Sequence, residues 1–221
     1  MTNHYTCDQL DGFPWIVSTA TLRPEDLLPK FWAAAETCAV LLDRPQLLNP
    51  GTLNSLTKLV GEDSSESDWD DNEASETLQD LFNALNDAAP SAFSFGSQEG
   101  DGACFGFWLD ADWLEALEHC GWAADSDPAA LADVIRELEQ DGIDCDNFSD
   151  AYCGEAEGYN EEAAGSDYAA QLAEAIGAWD GKASWPASCI DWDAAWRELE
   201  IGDGYRLHRI SGETWAVFRS V

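Results

Sequence analysis

Three histidines, seven cysteines and 44 carboxylates are the side chains through which this 221-residue chain could do chemistry. His119 and Cys120 adjoin, but neighbours along a helix point apart and do not form a nucleophile–base pair. No G-x-S-x-G, H-E-x-x-H or kinase signature occurs with His4, His119 or His208. Asp144, Asp146, Asp150 and Glu155 fall on positions 1, 3, 7 and 12 of a calcium loop. Phe148 and Ser149 stand where that loop needs a ligand and a glycine, so the match is one of chance among many acids. The glycine-rich stretch 96–106 holds Glu99 and Asp101 and no following lysine, so it reads as a turn rather than a phosphate cradle. Carboxylate pairs of the glycosidase kind exist only in space and cannot be picked out of 44 acids by spacing. The expectation is a protein that is no enzyme, with no catalytic residue, metal ligand set or cofactor.

What the acids do offer is charge. Ten Lys and Arg oppose them, giving a formal net charge of -34. Residues 1–58 hold six acids and four bases, and residues 182–221 hold six acids and five bases. The segment 59–181 holds 32 acids and one base, Arg136, and so carries -31. A compact body of that length has a radius of gyration near ~14 Å, which gives roughly one charge per 1.1 Å of diameter. Duplex DNA carries one per ~1.7 Å of axis. Self-repulsion on this scale opposes folding, so a partner or an environment must explain it. Adaptation to high salt would spread the acids evenly, whereas here both flanks are near neutral.

The elements that hold these acids read from periodicity. The spacing predicts a short strand in 13–20 and a helix over 24–43, with Pro29 placed to kink it. A short helix follows at 52–60, then the acidic tract 61–76, in part a solvated loop. Helix resumes at 76–88. Residues 92–109 read as two strands about a turn. Helices are expected at 110–122, 127–141, 160–177 and 191–200, and a hairpin joins 205–210 to 214–221. In the 160–177 helix, Tyr168, Leu172, Ala175 and Ile176 are expected inward. Asp133, Glu137 and Asp141 recur at i, i+4 and place a carboxylate every ~6 Å along a helix edge. A sequence selected for helix stability would put lysine at one such position. The same omission recurs at 110–118 and 155–162. The fold class is therefore α+β, in two to three small domains of short helices and small antiparallel sheets. The expected boundaries are 1–108 (with the tract 61–76), a central acidic helical segment 109–150, and 151–221.

The seven cysteines are odd in number and form no C-x-x-C, which fits reduced thiols. The N-terminus shows no signal-peptide pattern and no run of apolar residues is long enough to span a membrane, so a cytoplasmic protein is expected.

The C-terminal third resembles the ArdA antirestriction family. The matching text is DNFSDAYCGE at 146–155, YAAQLAEAIGA at 168–178, WPASCIDWDAAWRELE at 185–200 and VFRS at 217–220. The step Ile190-Asp191 is its most specific part. The resemblance covers about 75 residues and leaves the first 60 outside it. It implies an elongated, acidic homodimer in the bacterial host cell that imitates bent DNA and occupies the DNA cleft of type I restriction–modification enzymes. The partner is then a restriction–modification enzyme or another DNA-binding defence protein, with neither nucleic acid nor membrane bound. The partner-binding carboxylates are expected among Asp110, Asp112, Glu115, Glu118, Asp125, Asp127, Asp133, Glu137, Asp141, Asp144, Asp146, Asp150, Glu155, Glu157, Glu161 and Glu162. The alternatives are an acidic chaperone for another basic DNA-binding protein, and a calcium-binding or salt-adapted acidic protein.

Overall fold

The computed structural model describes residues 12–19, 21–60, 72–119, 121, 127–181 and 189–220. The fold is α+β, with helices and two three-stranded antiparallel sheets. It divides into two compact units, 1–111 with 127–133, and 112–126 with 134–221. The segment 109–150, expected as a body of its own, is thus shared out between the two. Most of the acidic tract, 61–71, lies outside the described residues, as do Asp125, Cys120 and the Trp185-Pro186 loop. Among the described residues no helix is long and apolar enough to cross a membrane.

In the first unit, β1 (Ile16–Ser18), β2 (Phe93–Gln98) and β3 (Asp101–Leu109) form a sheet in the order β1-β3-β2. Gly106 lets β1 approach, since a Cβ there would lie 2.5 Å from the carbonyl oxygen of Trp15. Helix α1 (Pro24–Leu41) starts with proline at its first position, as the missing N–H allows. It runs on through Pro29, which costs it the bond to the Glu25 carbonyl without ending it. α2 (Pro50–Val60) and α3 (Asn72–Ala88) complete the helical layer. Phe13, Phe31, Phe93, Phe95 and Phe107 fill the core, with Phe31 edge-on to Phe95 at 5.1 Å.

The second unit contains most of α4 (Ala111–His119), the end of α5 (Pro128–Gln140), and α6 (Phe148–Ala151). Strand β4 (Tyr152–Glu157), helices α7 (Glu161–Ala175) and α8 (Trp192–Asp203), and the hairpin β5 (Tyr205–Ser211) and β6 (Thr214–Arg219) complete it. The sheet order is β4-β6-β5. On one face Tyr168, Trp196, Tyr205 and Val217 pack together. On the other, Phe148 meets Trp113, Tyr152 and Phe218 at ring distances of 5.3–6.0 Å. Gly165 has no room for a side chain, because a Cβ would come within 2.4 Å of the Trp196 ring.

Two expectations are corrected here. The stretch 155–162 is not one helix; its first residues belong to β4, where only Ala156 is buried between acids. Ala175 and Ile176 are exposed, because α7 stops at Ala175 and the periodicity has no helix left to act on.

Candidate partner-binding carboxylates

α5 shows how the apolar pattern aims the acids. Val134, Ile135 and Leu138 are buried, which turns Glu137 outward. Asp141 follows in the turn after the helix and is exposed. Asp133 departs from the expected stripe and is only 9% exposed. The reason is geometric: a step of four residues advances about 40° around a helix, so a row of three slants by about 80°. Around the buried Asp133, Ala129, Leu131 and Ala132 belong to the core of the first unit. Asp133 therefore does not belong among the presented carboxylates.

The remaining candidates divide by element. On α4, Trp113, Ala116 and Leu117 point inward, leaving Asp112, Glu115 and Glu118 exposed; Asp110 before it is half-buried. Asp127, ahead of α5, is exposed. Asp144, Asp146 and Asp150 are exposed around α6. Glu155 and Glu157 alternate outward on β4. Glu161 and Glu162 occupy the first turn of α7, where the helix dipole favours negative charge, behind the Asn160 cap that accepts the Ala163 N–H at 2.8 Å. Glu162 also pairs with Arg197 at 3.1 Å across exposed surface.

Several of these acids converge. A cleft of about 350 Å³ in the second unit is lined by Asp112, Glu115 and Asp146, with Cys145 and Ser149. The thiol of Cys145 reports the field there. Burial pushes it up from its ordinary 9.0, and the charges of Asp146, Asp112 and Asp144 push it further. Asp144 also has a local task. Its Oδ1 accepts the backbone N–H of Asp146 and of Asn147, both at 3.1 Å, and this shapes the turn before α6. Among the described residues no group of three His, Cys, Asp or Glu is placed to hold a metal ion, and the calcium-loop spacing brings no such group together.

One participant has no signal in local spacing. His208 on β5 is 6% exposed and lies between two acids of the α5 row. Its Nδ1 is 3.3 Å from Glu137 Oε2 and its Nε2 is 3.2 Å from Asp141 Oδ2. The partners are 71 residues apart in the first case, a separation at which only the fold can pair them. Comparison with family models, with curated proteins and with solved structures finds no match to this chain.

Proposed function

We propose that this protein is a DNA-mimicking antirestriction protein that occupies the DNA-binding cleft of a type I restriction–modification enzyme or a similar nucleoprotein of host defence. The observation that carries the reading is the outward placement of the acids on α4, α5, β4 and α7, with few cations interspersed. Exposed carboxylates at helical and strand spacing supply what a DNA-binding groove attracts in a phosphate backbone, namely dense negative charge without base sequence. The crowding at Asp112, Glu115 and Asp146, felt by Cys145, supports the same reading. On this reading the protein works in the cytoplasm of a bacterial host, as a homodimer, with no catalysis, metal or cofactor.

The experiment is to plate unmodified phage on restricting cells with and without the protein expressed. Plating should rise with expression, and to a similar degree against restriction enzymes of different sequence specificity. In the reconstituted reaction the protein should compete with duplex DNA for the enzyme. Unchanged plating together with no competition removes the proposal.

A further inference from the structure

The α5 row ends in a contact that the decoy role does not require. Glu137 and Asp141 approach opposite nitrogens of one buried imidazole. A neutral imidazole has one N–H and one lone pair, so it satisfies one carboxylate and turns a lone pair on the other. Only the doubly protonated ring answers both. Nε2 is buried and lies off the line of a good hydrogen bond to Asp141, so this half of the contact is chiefly electrostatic. The helix end adds to the demand for a cation. α5 has no base in its last turn, and its terminal carbonyls carry the negative end of the dipole. Opposite ring nitrogens cannot ligate one ion, so the group does not converge on a metal.

Arg206 and Arg219 line one cleft with Asp141. From β6, Ala216 pairs with His208 across the strands and Phe218 packs on it at 5.6 Å between ring centres; neither is charged. Glu137 faces it from α5 and Asp141 from the turn that follows the helix; Arg136 is half-buried next to Glu137, and Asp133 is buried one turn earlier. On β5 itself Arg206 is held by the carbonyls of Glu200 and Tyr205, at 3.3 and 2.8 Å. Arg219 lies over the Tyr205 ring at 5.8 Å.

We propose that Glu137, His208 and Asp141 form a proton-binding site that regulates the acidic surface. Proton uptake by His208 bridges the two carboxylates and leaves one net negative charge where there were two. The proposal rests on the decoy reading for its purpose, but the site itself is tested without a partner. Nitrogen-15 correlation spectra of the full chain, recorded across pH, distinguish one ring proton from two. His208 should gain its second proton while the near-ultraviolet circular dichroism still shows an intact fold. At equal pH the doubly protonated fraction should fall in Glu137→Gln and in Asp141→Asn, and fall furthest with both. A ring that keeps one proton throughout, or fractions that neither substitution moves, overturns the site. For its effect on the surface the probe is a lysine-rich peptide. As the second proton enters, wild-type binding should weaken relative to His208→Gln by up to about five-fold. Equal pH dependence in the two proteins overturns the regulation, whereas failure to compete with DNA for a restriction enzyme removes the decoy reading alone.

Discussion

Cys145 sits among Asp112, Asp144 and Asp146, and burial together with their charges holds its thiol above the ordinary range. Thiolate, not thiol, reacts with alkylating agents, so Cys145 should react slowly at neutral pH. It should react faster in Asp146→Asn or Asp112→Asn, as read by mass spectrometry of the labelled peptide. Equal rates would mean that the carboxylates do not set the local field. Cys38 makes a different point. Burial pushes its thiol from 9.0 up to about 12, so between those pH values the folded chain keeps a proton that the unfolded chain releases. Its contribution to stability is complete below pH 9 and is lost as pH rises toward 12. Urea midpoints on either side of pH 9 should therefore fall further for the wild type than for Cys38→Ala. Of the carboxylates, any single exposed one should matter little. An exposed ion pair contributes ~0–1 kcal/mol, so one Asp→Asn change should weaken partner binding by a few-fold at most. A folded single variant without function would point back to an enzyme or a metal site.

At the scale of elements, charge and stability separate. Asp112, Glu115 and Glu118 repeat at i, i+3 along α4, where like charges cost about 0.2–0.5 kcal/mol per pair. Neutralising all three together should leave the thermal midpoint unchanged or higher. The same triple variant should weaken partner binding and flatten its salt dependence. The apolar side of α5 behaves in the opposite sense. Ile135→Ala or Leu138→Ala should cost about 2–5 kcal/mol in urea unfolding, because both side chains are fully buried. Much of this layout is legible in sequence. The helix that carries Pro29, the 93–109 strands and the closing hairpin follow from periodicity and turn residues. β4 does not, since its alternation of acids around one buried alanine looks the same as a charged helix edge. The acids of α4 are read correctly as outward, but Asp133 is not, because an i, i+4 row says nothing of which end meets a core. His208 is beyond such reading altogether: its partners are chosen by how β5 lies against α5.

For the whole molecule the sum of charge sets the behaviour. With 44 acids and ten bases, the chain should be repelled by nucleic acid. A gel shift at moderate salt should show no complex with duplex DNA, and a direct complex would count against the decoy role. The division of the chain has a further consequence, for its birth rather than its action. The first unit takes in residues 127–133 as well as 1–111, and Ala132 is buried in its core. When residue 111 has left the ribosome, that core still lacks a piece that has yet to emerge behind it. At ~5–20 residues per second the gap amounts to about one to four seconds, during which apolar side chains awaiting Ala129, Leu131 and Ala132 stay open to water and to chaperones. Nascent chains stalled with residue 126 just outside the ribosome should accordingly be cut by protease more readily than chains stalled far enough on to release residue 133.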